Sequence, residues 1–337
     1  MASHTTRGVG LVEVLRDAGA SGSRSACAHT LALVASERQT YAQAGVSLAT
    51  AGAIVERLRA AVESTGATGF GAFAGLHPLD DERLLAASTD SVGTKLILAR
   101  ARGRLRACGS DLAAHCINDV ATSGADPLMF LDYVAANRID LEQVAELVEG
   151  AADVCREAGV AFVGGETAEL PGIYRDGELD FAGTCVGVVG RESVLDGSRV
   201  LDGDFVVGFP SSGVHANGFT LARRVLEAED YDGDDLLAPT RCYLTEVRRL
   251  RGDAHAFAHV TGGGIEGNLA RVVPEALEAR IDWESWERPT VFGWLARHVA
   301  EEELRRVFNL GIGYCAVLPE PGDGPADGIV IGRIERA

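Results

Sequence analysis

The segment STDSVGTKL, at residues 88–96, combines the residue types that bind phosphate and a divalent cation. Asp90 supplies a carboxylate of the kind that Mg²⁺ prefers, and Gly93 lets backbone amides approach phosphate oxygens closely. Thr94 and Lys95 add hydrogen-bond donors, and Lys95 is the only lysine among the 337 residues. The segment therefore predicts a phosphate site beside a metal carboxylate. The alternative is a polar turn that carries a solvated lysine.

A second segment, GSDLAAHCINDV at residues 109–120, has the periodicity of a helix. Asp111, His115 and Asn118 are spaced i, i+4 and i+7, so they share one face, and Asp119 lies at its edge. A surface helix ordinarily mixes positive and negative side chains, whereas this stripe holds acids, an amide and a histidine. Mg²⁺ binds one or two carboxylates and completes its shell with phosphate oxygens and water. The stripe predicts a cation-binding site, with a solvated helix face as the alternative.

Another glycine-rich segment, GGETAELPG at residues 164–172, directly follows a predicted strand. Its two leading glycines permit close backbone approach, and Glu166 is a candidate ligand for a metal or a ribose.

Two segments in the second half of the chain repeat this pattern of glycine and polar residues. PSSGVHANGF at 210–219 offers donors for a phosphate or groups for acid–base chemistry, although a loop histidine is often structural. HVTGGGIEGN at 259–268 places a triple glycine before a predicted helix, which favours an anion site. The candidate residues in these two segments are Ser212, His215, Asn217, His259, Gly262 and Gly263.

The common nucleotide and hydrolase motifs do not fit this sequence. Two stretches, at 69–74 and 311–316, match G-x-G-x-x-A, but neither lies between a predicted strand and a helix, so we interpret both as tight turns. A Walker A loop needs Gly-Lys, and Lys95 follows a threonine. The sequence also lacks a G-x-S-x-G elbow and an H-E-x-x-H zinc motif.

The composition is that of a globular protein, with 47% apolar and 24% charged residues. A formal net charge of −18 argues against nucleic acid or an anionic membrane surface as a partner, and no apolar stretch is long enough for a membrane span. The seven cysteines include no C-x-x-C pair. This argues against a disulfide framework or a zinc site and favours a reducing, cytoplasmic compartment.

Helical and strand patterns interleave along the chain, which predicts an α/β or α+β fold. We expect a poorly ordered extension at 1–40, an N-terminal domain at 41–195 and a C-terminal α/β domain at 196–337. Strands are predicted at 84–89, 128–134, 160–163, 181–189, 204–209, 257–261, 313–318 and 328–334, and that at 128–134 is expected to be buried on both faces. Helices are predicted after Ser47 and at 110–124, 140–159, 218–229, 265–272 and 291–306.

The order of the segments STDSVGTKL, CIND, DPLMFLDY, GGETAELPG, SSGVHANG, HVTGGG and FNLGIGY resembles that of the aminoimidazole ribonucleotide synthetase family. Its members are the phosphoribosylformylglycinamidine cyclo-ligases of de novo purine synthesis. The resemblance runs from about Tyr41 to the C-terminus. It implies a two-domain α/β subunit, a homodimer in which the N-terminal sheets pair, and ring closure of formylglycinamidine ribonucleotide with ATP and Mg²⁺.

The resemblance also implies roles for particular residues. Asp90 and Asp119 hold the metal, and Asn118, Glu166, Asp111 and Thr167 help to bind the nucleotide. The phosphate-binding residues are Gly93, Thr94 and Lys95, and the catalytic set is Lys95, His215 and Asp119. The substrate-binding residues are Ser212, Asn217, His259, Gly262 and Gly263.

Two departures from the family pattern leave other functions open. Ser91 stands where members usually have glycine, and a Tyr-Lys-Asp-Ala-Gly segment reads YAQAGV here, with Ala42 and Gln43 at the changed positions. The alternatives are a paralogue that uses the same ATP chemistry on another amide or amidine, and a non-catalytic nucleotide-binding relative. Retention of several charged site residues favours an enzyme.

Overall fold

The computed structural model describes residues 38–66, 70–320 and 327–337. The extension predicted at 1–40 lies outside the described residues up to position 37. Residues from Gln39 to Ala337 form one compact unit that contains two five-stranded sheets. The α/β class predicted from the sequence is confirmed.

The first lobe is built on a mixed sheet in the order β1-β2-β5-β3-β4. All its pairs are antiparallel except β3 with β4. Its strands are β1 (Gly75–Pro78), β2 (Arg83–Ser91), β3 (Asp126–Ala136), β4 (Ala161–Glu169) and β5 (Leu179–Gly190). Its helices are α1 (Leu48–Glu63), α2 (Lys95–Ala101), α3 (Leu105–Thr122) and α4 (Leu141–Ala158).

Two long helices cover one face of this sheet. Glycines allow α3 and α4 to pack closely, because a Cβ at Gly109 would overlap the carbonyl oxygen of Leu147 and one at Gly150 would overlap that of Arg106. The predicted capping of α4 is confirmed: Asp140 accepts a hydrogen bond from the Gln143 amide, and Gly159 ends the helix at φ +72°. The helix α3 is almost wholly buried, polar stripe included.

The opposite face of the sheet is exposed, which corrects the prediction that strand 128–134 is buried on both faces. Met129, Leu131 and Tyr133 alternate with buried residues and are each about 36–37% exposed. A continuous apolar run had indicated burial on both sides, but the helices that the structure describes cover only one side of the sheet.

The segment GGETAELPG continues the strand predicted at 160–163 for most of its length. The strand β4 continues to Glu169 because it pairs in parallel with β3. The pairing shifts by one residue at Val163, where Phe162 lies opposite Phe130 and Gly164 lies opposite Leu131. Gly164 has φ +144°, a conformation that favours glycine, so this glycine accommodates the bulge.

The second lobe contains a sheet in the order β7-β9-β6-β10-β8. Its strands are β6 (Phe205–Pro210), β7 (Ala256–His259), β8 (Leu277–Ile281), β9 (Ile312–Leu318) and β10 (Ile329–Arg336). Its helices are α5 (Phe219–Ala228), α6 (Leu244–Leu250), α7 (Gly264–Leu269), α8 (Thr290–Leu295) and α9 (Glu301–Val307). The boundary predicted at residues 195 and 196 lies between the two sheets and stays a prediction.

One apolar cluster runs through both lobes. It joins α3 residues such as Leu112 and Ile117 to Phe209, Tyr243 and Tyr314 of the second lobe. The predicted helix at 291–306 is two helices, α8 and α9, separated by a bridge between Val299 and Gln39. In the part of the chain that the structure describes, no helix is both long and apolar enough to cross a bilayer.

Candidate active site

The polar stripe of α3 lies at the junction of the two lobes. Asp111 and Asn118 are fully buried, and Asp119 is 9% exposed. Buried carboxylates and amides need hydrogen-bond partners, because an unpaired one is costly in free energy. The second lobe supplies most of these partners, so the stripe is not the solvated helix face that we considered as an alternative.

Asp90 and His115 form the first pair of this site. The imidazole Nδ1 of His115 lies 3.4 Å from Asp90 Oδ2, and the Ser91 amide donates to Asp90 Oδ1 at 2.9 Å. Burial raises the pKa of the Asp90 carboxyl, but the hydrogen bond and charge of His115 outweigh burial and lower the pKa overall. Burial lowers the pKa of His115, yet the same bond to Asp90 raises it overall. Both shifts favour an ion pair.

Asp119 and His259 form a second pair beside the first. Asp119 Oδ1 accepts from His259 Nδ1 at 2.8 Å, and its Oδ2 accepts from the Ser88 hydroxyl at 3.1 Å. Burial lowers the pKa of His259 more than the Asp119 carboxylate raises it. The rings of His115 and His259 meet edge to face, with centroids 4.9 Å apart. The structure therefore brings the two predicted metal carboxylates into one cluster with two histidines.

Asn118 joins the lobes through both ends of its amide. Its Oδ1 accepts from the Tyr243 amide at 2.8 Å, and its Nδ2 donates to the Arg241 carbonyl at 2.9 Å. These bonds hold the segment at 241–243 against α3 and occupy the atoms with which Asn118 was predicted to bind nucleotide.

Lys95 is fully buried and has no exposed path to a phosphate in this structure. Its ammonium donates to the His215 carbonyl at 2.6 Å and the Ala238 carbonyl at 3.0 Å, and lies 2.7 Å from Asp111 Oδ2. The other carboxylate oxygen of Asp111 accepts from both the amide and the hydroxyl of Thr240 at 2.7 Å. Two of the three ammonium hydrogens are donated to the two carbonyls, and the Asp111 carboxylate is the third close contact of the ammonium. This arrangement does not provide the phosphate contact predicted for Lys95.

His215 lies in the loop between β6 and α5, at φ +65°. Burial lowers the pKa of its imidazole well below the usual value, and nearby positive groups lower it further. The ring is therefore neutral, and its Nε2 accepts from the Ser212 amide at 3.3 Å. A Cβ at Gly313 would lie 2.5 Å from His215 Cε1, so this glycine allows the ring to pack. The Ser212 hydroxyl donates to the Pro239 carbonyl.

The glycine-rich segments of the two lobes contact each other. The Thr94 and Thr220 hydroxyls share a hydrogen bond of 2.9 Å across the lobes. Gly93, at φ +67°, has no atom within 4 Å of the place where a Cβ would stand, so the backbone there is open to close approach. Asn217 Oδ1 would lie 3.8 Å from a Cβ at Gly262, which brings two predicted substrate residues together.

Asn268 holds the turn that contains Gly262 and Gly263. Its amide nitrogen donates to the Gly264 carbonyl at 2.8 Å and to the Gly262 carbonyl at 3.3 Å. Gly263 has φ +104°, which disfavours any residue with a side chain. The turn is therefore fixed beside His259 before any ligand binds.

Glu166 and Thr167 are not brought to this cluster within one chain. The strand pairing places Asp90, Gly183, Asp132 and Gly165 in one row across the sheet. Glu166 is next to Gly165 and is therefore three strands from Asp90, a distance of about 14 Å. Glu166 also pairs with Tyr133, on the exposed face of the sheet. Side chains alternate between faces, so Glu166 and Asp90 are on opposite faces.

The sequence profile of the N-terminal domain of AIR synthase related proteins matches residues 71–189, and that of the C-terminal domain matches residues 202–324. The phosphoribosylformylglycinamidine cyclo-ligase of Synechococcus sp. (strain CC9605) is 47% identical over 83% of this chain and 88% of its own length. That of Sorangium cellulosum (strain So ce56) is 46% identical over 86% and 89%. The chain belongs to the AIR synthase family.

The fold is shared with other solved structures at low identity. Thiamine monophosphate kinase from Aquifex aeolicus is 18% identical, with a TM-score of 0.61 over 87% of this chain and 96% of that one. The hydrogenase maturation protein HypE in complex with ATP is 20% identical, with a TM-score of 0.58 over 75% and 77%. At this low identity, these structural similarities show only that the fold is shared.

The AIR synthase segment that differs here, YAQAGV, lies against the second lobe. The Tyr41 amide donates to Glu303 Oε1 at 2.6 Å, and the Gln43 carbonyl accepts from Arg224. Its backbone is therefore fixed by contacts that do not need the lysine and acid usual in the family.

Sequence reasoning did not assign a role to several residues of the cluster. His115 had been noted on the α3 stripe, and its i+4 spacing from Asp111 was the signal that placed it there. Ser88 and Asn268 lie inside the segments singled out, at their ends. Thr240 and Tyr243 lie in a stretch of ordinary composition, and their partners are more than 120 residues away, so no local signal pointed to them.

Proposed function

We propose that this protein closes the imidazole ring of formylglycinamidine ribonucleotide with ATP and releases aminoimidazole ribonucleotide, ADP and phosphate. The protein is then an ATP-dependent ligase of purine biosynthesis. The observation that carries the proposal is 46–47% identity to curated cyclo-ligases over more than four fifths of the chain. The carboxylate–histidine cluster between the lobes agrees with this activity.

The reaction needs activation because a formamide oxygen is a poor leaving group. That oxygen attacks the γ-phosphorus of ATP, ADP departs, and an imidate phosphate forms. The neighbouring amidine nitrogen then adds to the same carbon, phosphate leaves with the former formamide oxygen, and proton loss gives the aromatic ring. Holding the nitrogen beside the carbon contributes roughly 7–11 kcal/mol, as in well-oriented intramolecular reactions.

Asp90 and Asp119 are the residues that would hold Mg²⁺. The described residues contain no group of three or more His, Cys, Asp or Glu arranged to bind a metal. Two carboxylates at the edge of a cleft suit Mg²⁺, which takes its remaining ligands from phosphate oxygens and water. When bound, the ion neutralises charge on the transferred phosphoryl group.

His115 and His259 position these carboxylates. Each histidine binds one carboxylate through Nδ1, and the two rings pack against each other. Their contacts restrict the rotation of Asp90 and Asp119, which keeps the carboxylates aimed before substrates bind.

Lys95 acts in this proposal as a positioning residue instead of a phosphate ligand. Its ammonium ties Asp111 of the first lobe to the carbonyl of His215 in the second. It thereby fixes the loop that carries Ser212 and Asn217, which we retain as candidate substrate contacts together with Gly262 and Gly263. The open backbone at Gly93 and Thr94 is the candidate phosphate turn.

A homodimer is proposed from the exposed face of the first sheet. Met129, Leu131, Tyr133 and Val163 present apolar side chains there, with exposures of 36–56%. A second copy would cover this face and would bring Glu166 of each sheet into the interface. We also propose a cytoplasmic location, since the six cysteines in the described ranges are all free thiols.

Growth of a bacterial purine auxotroph that lacks the cyclo-ligase tests the proposed function. We expect the wild-type gene to restore growth without purine, and an Asp119→Asn gene to fail at equal protein level. If the wild-type protein is expressed in soluble form and growth is not restored, the substrate assignment is wrong.

A further inference from the structure

Arg271 is a positively charged side chain beside the carboxylate cluster that none of the roles above uses. It follows the end of α7 by two residues, whereas the turn that Asn268 holds lies at the beginning of that helix. Burial lowers the pKa of its guanidinium, and the charges that oppose this effect are those of Asp119 and Asp90. An arginine remains protonated despite such a shift, and the residue is exposed to solvent, so its positive charge is accessible to a ligand.

Three contacts fix the direction of this guanidinium. Its carbon lies 3.7 Å from the centre of the buried Phe73 ring. Nη2 donates to the Gly71 carbonyl at 3.2 Å, and Nη1 lies 3.5 Å from Asn268 Oδ1. Within residues 38–66, 70–320 and 327–337, no carboxylate lies at ion-pair distance from Arg271. Two of its five N–H groups are used, and the others remain for a ligand.

The other basic groups around the site are already neutralised. Lys95 is paired with Asp111, and Arg241 is paired with Glu246 and, at 2.5 Å, with Asp327. A ribonucleotide substrate brings a phosphate monoester with close to two negative charges into a site that holds several carboxylates. A cation is needed to offset their repulsion, and Arg271 has both the charge and the planar donor geometry for it.

We propose that Arg271 binds the 5′-phosphate of the ribonucleotide substrate. Its guanidinium contacts Asn268, the residue that holds the turn of Gly262 and Gly263 in the second lobe. The candidate metal carboxylates and the phosphate turn at Gly93 belong to the first lobe. Arg271 thus selects a phosphorylated ribose over the free nucleoside, and the nucleotide cosubstrate is held elsewhere. This inference rests on the proposed function, because it assumes a ribonucleotide substrate.

The test compares Arg271→Gln with Arg333→Gln in the full-length enzyme. Arg333 is a matched control, because its guanidinium stacks on the Phe205 ring at 4.1 Å but lies on β10, in the second sheet. Steady-state kinetics measure KM and kcat for formylglycinamidine ribonucleotide and for ATP, and the inhibition constants of ribose 5-phosphate and of ribose.

We expect Arg271→Gln to raise KM for the ribonucleotide by about 10- to 100-fold, with a small change in kcat, because the phosphate is held equally in the ground and transition states. Inhibition by ribose 5-phosphate weakens by a similar factor, while KM for ATP and inhibition by ribose are unchanged. Arg271→Lys restores part of the loss, and Arg333→Gln behaves as wild type.

Two outcomes would overturn this inference. A rise in KM for ATP alone would assign Arg271 to the nucleotide cosubstrate. An equal loss of kcat for all substrates, with an unchanged inhibition constant for ribose 5-phosphate, would indicate a structural role. If the wild-type enzyme does not turn over the ribonucleotide at all, it is the proposed function that fails, since Arg271 is intact in that measurement.

Discussion

At the scale of single residues, Lys95 and Asp111 form a buried ion pair with neither side chain exposed. Removing one partner of such a pair leaves the other charged and unpaired, which costs about 3–5 kcal/mol. We therefore expect Lys95→Met to lower the free energy of unfolding by that amount, measured by urea denaturation. A loss below about 1 kcal/mol would contradict the pairing.

The double variant Lys95→Met/Asp111→Met separates positioning from phosphate binding. With both charges replaced by apolar side chains, much of the stability should return. If Lys95 only positions the loop at 212–217, activity returns with stability. If the double variant is stable and inactive, Lys95 contacts the reacting phosphate, as the sequence had suggested.

The stability of the protein should depend on pH through the buried imidazole of His215. Burial lowers its pKa from 6.5, so the folded state resists protonation while the unfolded state accepts a proton. Its contribution to stability is complete above pH 6.5 and is lost as pH falls toward the folded-state pKa. Between pH 7 and 5 the wild type should lose more stability than His215→Asn, measured by urea denaturation at each pH. Parallel pH curves for the two proteins would show that His215 does not titrate as proposed.

The sequence indicated the site residues by type but not by their partners. The carboxylates Asp90 and Asp119 were identified from glycine-rich segments and helical spacing, and they do lie in one cluster. The burial of Lys95 had no local signal, because its acceptors are the carbonyls of His215 and Ala238, over 100 residues away. A single lysine in a phosphate-binding turn and a single lysine in a buried ion pair cannot be distinguished from the local sequence.

At the scale of secondary-structure elements, the packing of α3 on α4 sets the position of the site stripe. A Cβ at Gly109 would overlap the Leu147 carbonyl oxygen, so Gly109→Ala must push the helices apart. We expect it to destabilise the protein by roughly 1–3 kcal/mol. Gly52→Ala is the control, because Gly52 lies in α1 with no atom within 4 Å of its Cβ position and should gain up to about 1 kcal/mol from helix propensity. Equal effects on thermal unfolding would contradict this account of the helix contact.

The ends of a helix could be predicted where its periodicity and its capping residues involve only neighbouring positions in the chain. The capping by Asp140 and Gly159 depends on neighbouring residues, and α4 begins and ends where they predict. The helix expected at 291–306 breaks because Val299 pairs with Gln39, and a partner 260 residues away leaves no trace in a helical pattern. The extension of β4 through Gly164 and Gly165 depends on the neighbouring strand β3, not on its own propensity.

At the scale of the whole molecule, the exposed sheet face predicts self-association. Leu131 lies in the middle of this face, opposite Thr184 on β5 and Gly164 on β4. Leu131→Glu should convert a dimer to a monomer in analytical ultracentrifugation, since a buried unpaired charge is unfavourable at the interface. Leu201→Glu, at an exposed turn in the second lobe, should remain a dimer. A wild-type protein that is monomeric at micromolar concentration would rule out this assembly.

The most direct test of the central claim is the release of ADP by the purified protein with ATP and Mg²⁺, with and without formylglycinamidine ribonucleotide. The account predicts one ADP and one aminoimidazole ribonucleotide for each turnover. Very little ADP should form without the ribonucleotide, because the formamide oxygen is the phosphoryl acceptor. Release of ADP at the same rate in its absence, or with no imidazole product in its presence, would contradict the cyclo-ligase function.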